Sequence, residues 1–133
     1  MTDIFVNLST KDLPAAKVFY EGLGFKLNLA FTNDDAASFI IDEGRYLHLL
    51  THSFFSQFTP RPIADGSSVE CTLAMSAEDR SAVDAMAQKV LDLGGAEENP
   101  PQDHGFMYGR TMRDLDGHII EFFWMDPSQM PGT

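Results

Sequence analysis

Apolar residues recur along this chain with two periods, and the change from one period to the other happens twice. Ile4 to Leu8 is a short run of β-formers. Leu13, Ala16, Tyr20 and Leu23 then fall at helical spacing, and Gly24 supplies the stop. Ser9 and Asp12 stand in capping-box positions ahead of that helix. Phe25 to Thr32 reads as a strand, Asn33-Asp34-Asp35 as a turn, and Ala37 to Ile41 and Arg45 to Thr51 as two further strands. The first half is therefore βαβββ.

The second half follows the same order. Val69 to Met75 is a strand, Ser76 and Asp79 repeat the capping pattern, and Val83, Met86, Ala87, Val90 and Leu91 form the apolar face of a longer helix ending at Gly94-Gly95. A weak strand near Ala96, a Pro100-Pro101 loop, and strands at 106–112 and 118–124 complete a second βαβββ. Words repeat as well as periods. Phe5 precedes Asp12 by the same interval as Thr72 precedes Asp79, and His48 follows Gly44 by the same interval as Glu121 follows Gly117. The expected layout is one domain over 1–133, with module one at 1–52, module two at 69–126 and a loosely held tail at 127–133. Between the modules, 53–68 carries Pro60, Pro62 and Gly66 together with Phe54, Phe55 and Phe58, too aromatic for a plain flexible linker. Those rings either pack on the core or form a partial lid.

Composition narrows the functional classes. The chain has 133 residues and 44% hydrophobic content, enough for a sizeable core and against default disorder. No apolar run approaches the roughly 20 residues that span a bilayer, and Met1-Thr2-Asp3 lacks a signal-peptide layout, so no membrane is expected and the cytoplasm is the simplest location. The single cysteine, Cys71, cannot form an internal disulfide and reads as a buried strand residue. A net charge of −11 argues against nucleic-acid binding. It is compatible with a cationic ligand or simply with solubility.

With Lys11-Asp12-Leu13, Phe19-Tyr20 and Leu23-Gly24-Phe25 near the start, and Asp114-Leu115-Asp116-Gly117-His118-Ile119-Ile120-Glu121 near the end, the chain resembles the vicinal oxygen chelate superfamily. That superfamily includes glyoxalase I, bleomycin-resistance proteins and extradiol dioxygenases; the nearest likeness is to its glyoxalase-like, lactoylglutathione-lyase-related bacterial members. The resemblance implies an α+β fold: two βαβββ modules forming a single glyoxalase-like domain with a cavity between curved sheets, and a homodimer. It also implies metal-ligand positions on the first and last strand of each module, which fall here on Phe5, His48, Thr72 and Glu121. A phenylalanine cannot ligate and a neutral threonine ligates poorly, whereas a catalytic zinc takes three protein ligands and a dioxygenase iron two histidines and a carboxylate. His118 has the wrong strand parity relative to Glu121, His52 and Glu70 lie too far along their strands, and His104 sits on a loop. No tight metal and no other cofactor is expected.

Glu121, among Ile120, Phe122, Phe123 and Trp124, must be paired, hydrated or protonated. It serves either as an acid or base, or as a polar remnant paired with His48 or Arg110. His48 is either a general base or ligand contact, or a satisfied core histidine. Asn7 shares a face with Phe5 and offers an amide to a ligand or to the strand edge. Tyr108 and Arg110 share one face and suit an anionic or aromatic ligand, unless Arg110 pairs with surface acids. Phe5, Phe54, Phe55 and Trp124 would make the pocket aromatic. Two functions follow as expectations. One is metal-free binding of a small organic molecule, with Phe5, Asn7, Thr72, Tyr108, Arg110 and Trp124 as contacts. The other is a lyase or isomerase acting on a small carbonyl compound through Glu121 and His48.

Overall fold

The computed structural model describes residues 2–129, and these form two compact units, Met1–Asp65 and Gly66–Thr133. In the first, β1 (Ile4–Thr10) leads into α1 (Leu13–Gly22), β2 (Lys26–Leu27), β3 (Ala36–Asp42) and β4 (Arg45–Thr51), followed by a single helical turn, α2 (His52–Phe55). The sheet order is β1-β4-β3-β2, with β1 parallel to β4 and the other pairs antiparallel. Strand alternation sends Leu47 and Leu49 of β4 to the same side, where both are fully buried with Ala37, Phe39 and the α1 residues Ala16, Phe19 and Tyr20. Each such leucine contributes about 2 kcal/mol through burial. That is the covered face. The other face of the sheet carries the candidate chemistry.

Local detail departs from the sequence expectation at two places. Asp12 itself caps α1, accepting the Ala15 N–H at 3.0 Å, while the Asp12 N–H donates to the Thr10 hydroxyl. Ser9 is not the cap; it continues β1 and is buried. The strand expected over 25–32 shrinks to Lys26–Leu27 because Leu29–Phe31 turn as a 3-10 helix. Thr32 locks that turn, donating to the Asn28 carbonyl at 2.8 Å and accepting the Ser38 N–H at 3.2 Å. Leu29 and Phe31 consequently lie exposed rather than on a sheet face.

In the second unit, β5 (Thr72–Ser76), α3 (Arg80–Asp92), β6 (Ala96–Glu97), β7 (Gln102–Asp103), β8 (Met107–Arg113) and β9 (Ile119–Met125) follow in order. The sheet runs β5-β9-β8-β6, with β7 also against β8 and β5 parallel to β9. Val83, Ala87 and Val90 of α3 are buried, as are Met112, Ile120 and Phe122 of the sheet. Met86 is only half-buried and Leu91 is exposed. Gly95 is obligatory for backbone approach: a Cβ there would lie 2.5 Å from the Arg113 carbonyl oxygen and 2.5 Å from Val90 Cγ1.

Here too the caps and edges differ from expectation. Asp79, not Ser76, caps α3 through the Ala82 N–H at 2.8 Å. β5 starts only at Thr72, because its parallel partner starts at Ile119 and nothing in β9 pairs with Val69 to Cys71. Cys71 is therefore exposed instead of buried in a strand. Pro127–Gln129 form a 3-10 turn, with Asp126 accepting the Ser128 N–H, so this part of the expected loose tail is ordered. The remainder of that tail, 130–133, lies outside the described residues.

Candidate functional site

On the face of the first sheet away from α1, the register sets Asn7 and Ser38 on either side of His48, and Phe5 beside Tyr46. Phe5 stacks on Tyr46, with centroids 4.7 Å apart and an interplanar angle of 11°, and leans over the His48 ring at 5.3 Å. Phe5 is 52% exposed, so this ladder is a presented surface and not core. Burial holds the His48 pKa below its usual value, leaving the imidazole neutral near pH 7, with one donor and one acceptor nitrogen. Within the described residues of its unit, His48 has no hydrogen-bonding or ionic partner. It is not the satisfied core histidine of the second reading.

The same face runs into a half-open pocket of about 430 Å³ lined by Asn7, Leu50, Phe55, Phe58 and Thr59. Leu50 follows His48 by two residues and shares its side of the sheet. Thr51 caps α2, accepting the Phe54 N–H at 3.2 Å, and this turn brings Phe55 over the sheet. Phe54 packs edge-on against Phe58 at 5.2 Å. Of the three rings in this aromatic stretch, Phe55 and Phe58 line the pocket, and Phe54 touches it only through its contact with Phe58. Tyr46, Ser38 and Thr59 were missed from sequence. Parity with His48 signals Tyr46, but only strand order signals Ser38.

In the second unit, the face away from α3 carries Glu121, which the register sets between Ala74 of β5 and Thr111 of β8. Thr72 shares this face, one pair further along beside Ile119, and is exposed. Among the described residues of its unit, Glu121 has no hydrogen-bonding or ionic partner. The pairing of Glu121 with Arg110 does not occur, because the two side chains stand on opposite faces.

Tyr108, Arg110 and Trp124 are indeed grouped, but on the α3-covered face, and this separates them from Glu121. Arg110 binds Glu97 at 2.7 Å and Asp84 at 3.2 Å, and its side chain is only 16% exposed. Tyr108 donates to Asp84 at 2.6 Å, a bond that holds its phenol above the usual pKa. Trp124 pairs across the strands with Tyr108, and the Arg80 guanidinium lies 5.3 Å and 5.4 Å from the two ring centroids. With their polar groups engaged, these side chains clamp α3 onto β8. Odd and even positions of β9 face opposite ways, so Glu121 and Trp124 could never share a surface.

The donor chemistry does not fit a tight metal. The first sheet's face offers His48 as a strong donor, with the hydrocarbon ring of Phe5 leaning on it, and the second offers Glu121 beside neutral Thr72. A separate group at the β8–β9 turn, Asp114, Asp116 and His118, brings ligand-capable atoms within 4.8 Å of one another. There the Asp114 carboxylate already accepts the Asp116 and His118 backbone N–H groups and shapes the turn.

Two units that each run βαβββ in chain order, the second with the short β7 added against β8, have the architecture of a known class. The family model of the Glyoxalase/Bleomycin resistance protein/Dioxygenase superfamily matches residues 4–122, and the chain belongs to that superfamily. Among solved structures it is similar to hypothetical protein SA1046 of S. aureus, with TM-score 0.81, 26% identity, and coverage of 93% of this chain and 94% of that one. A glyoxalase/bleomycin resistance protein/dioxygenase family enzyme of Burkholderia phytofirmans superposes with TM-score 0.77 at 16% identity, covering 91% and 96%. The fosfomycin resistance protein FosX of Mesorhizobium loti does so with TM-score 0.70 at 15% identity, covering 95% and 93%. The last two likenesses concern the fold alone. No curated protein matches the chain. Among the described residues no helix is long and apolar enough to cross a membrane.

Proposed function

We propose that this protein binds a small organic molecule without a tight metal, using the pocket and the α1-distal sheet face of its first unit. The observation that carries the reading is the pocket itself, in which Leu50, Phe55 and Phe58 supply apolar contact while Asn7 and Thr59 supply the polar atoms. An apolar concavity with few convergent polar groups is the usual form of a ligand site. His48, neutral and unpartnered within its unit, adds a donor and an acceptor next to Asn7. A thermal-shift screen of small organic compounds, run on the parent and on Asn7→Leu, tests this. Saturating a true ligand at about 100 times its Kd stabilises the fold by about 2.7 kcal/mol, and that shift should shrink in the variant. If no compound shifts the melting temperature, or every shift survives Asn7→Leu, the reading fails.

A second reading rests on Glu121. A carboxylate on the sheet face away from α3, with no partner within its unit, is free to act as an acid or base toward a small carbonyl compound, as a lyase or isomerase of the glyoxalase type requires. Its support is this one side chain. Glu121→Gln should abolish any such turnover and leave the melting temperature within a degree or two of the parent.

A further inference from the structure

The chemistry of the pocket narrows the class of molecule it accepts. None of the described lining residues, Asn7, Leu50, Phe55, Phe58 and Thr59, is charged. Lys26 shares the sheet face by register, but it lies on the edge strand opposite Asn7. An anion entering the pocket would lose water without meeting a cation, and the net charge of −11 would oppose its approach. A cation would be drawn toward the protein at long range but would find no carboxylate in the lining. A neutral ligand meets neither cost.

The polar groups also specify a pattern. The Asn7 amide offers a donor and an acceptor side by side, and its present bond, to the Phe5 carbonyl, is long at 3.5 Å. Neutral His48, its register partner, offers another donor–acceptor set. The Thr59 hydroxyl accepts the Arg61 N–H at 3.3 Å and keeps its own proton to donate. Such a set is matched by a group that itself both donates and accepts, as a primary amide or lactam does. A carboxylate only accepts and an amidinium only donates, so each would leave part of the set unpaired. Shape adds a third criterion. Phe55 and Phe58 line the pocket together with aliphatic Leu50, and the Phe5–Tyr46 stack lies further along the same sheet face from Asn7. Flat rings bury most area against such walls.

We propose that the ligand is a planar, uncharged ring carrying an amide-type edge, with its ring against Phe55 and Phe58 and its edge at Asn7. This rests on the reading that the pocket is the ligand site. Four probes of nearly equal size separate the criteria: benzamide, the cation benzamidine, the anion benzoate, and the non-planar cyclohexanecarboxamide. The isotope-labelled full chain is titrated with each and followed by backbone amide NMR shifts, at about 0.15 M and about 0.5 M salt so that long-range attraction is screened. Benzamide should shift the signals of Asn7, Leu50 and Phe55 and bind about tenfold tighter than each of the others, from a mismatched polar group in benzamidine and benzoate and from lost flat-ring contact in cyclohexanecarboxamide. Asn7→Leu, at an exposed edge-strand position, should weaken benzamide by a similar factor and leave remote signals in place. If benzamidine, benzoate or cyclohexanecarboxamide matches benzamide at these signals, the ligand class is wrong and the pocket reading stands. Unchanged benzamide binding to Asn7→Leu overturns the amide pairing. No shift at these residues with any probe overturns the class and the pocket reading together.

Discussion

His48 owes its character to three neighbours. Asn7 and Ser38 flank it across the sheet, and Phe5 leans over its ring and removes water from one side. Desolvation disfavours the imidazolium, so the folded-state pKa lies below the ordinary 6.5. The unfolded chain then binds more protons than the native one between that depressed value and 6.5, and stability rises with pH across the interval. We expect the urea midpoint to fall as the pH drops through 6.5, and this component to level off once native His48 is also protonated. His48→Gln should remove that step without moving the midpoint difference at higher pH. Direct NMR titration of the ring provides the check; a midpoint at or above 6.5 would sink the argument. The parity of His48 and Glu121 was readable from the internal repeat. Pairing of Arg110 with acids was one of its two readings, but that the acids are Asp84 and Glu97 was not legible, because those come from α3 and β6 and meet it only when the sheet is assembled.

At the scale of elements, the helices show how a correct pattern can carry a wrong detail. The Ser-x-x-Asp words announced both helix starts, yet in each case the aspartate is the cap and the serine belongs to the preceding strand. At their C-terminal ends β1 and β5 run past their β-forming stretches, to Thr10 and Ser76, because parallel pairing with β4 and β9 continues to supply partners there. Replacing Asp12 by Ala should cost about 1 kcal/mol, whereas Asn, which caps nearly as well, should restore most of it. Chemical denaturation of the two variants against the parent distinguishes them; equal losses would mean that charge, not the cap bond, matters. Asp79 adds a pH signature of its own. Its bond from the Ala82 N–H, helped by the Ser81 hydroxyl, holds its carboxyl below the usual 3.8. The contribution is present above that value and is lost as acid protonates the cap.

For the molecule as a whole, the absence of a sufficient donor set in either sheet face governs the expected response to metals. Stoichiometric binding of a divalent ion would raise the melting temperature by mass action, by about 4 kcal/mol of stability at 1,000 times its Kd. We expect no such response: purified protein should hold well under one equivalent of zinc, nickel or iron, and a chelator should leave its melting temperature unchanged. Elemental analysis paired with calorimetry checks both. Stoichiometric metal whose removal lowers the melting temperature would require donors other than the neutral Thr72 and the phenyl ring of Phe5.

The repeated βαβββ order apart from β7, most of each helix face, and the pairing of Phe5 with His48 and of Thr72 with Glu121 on common sheet faces were legible in the chain. Each depends on local periodicity, and strand alternation is a property of the backbone that needs no tertiary partner. Whether a position is pocket or clamp was decided only by the fold. Alternation says that Tyr108, Arg110 and Trp124 share a side of their sheet, but not that α3 covers that side. Likewise the aromatic stretch after β4 announced either packing or a lid. The turn capped by Thr51 sets Phe55 and Phe58 in the same pocket lining as Asn7, with Phe54 edge-on against Phe58. Periodicity orients a side chain relative to its own backbone; which element then meets it depends on contacts far apart in sequence.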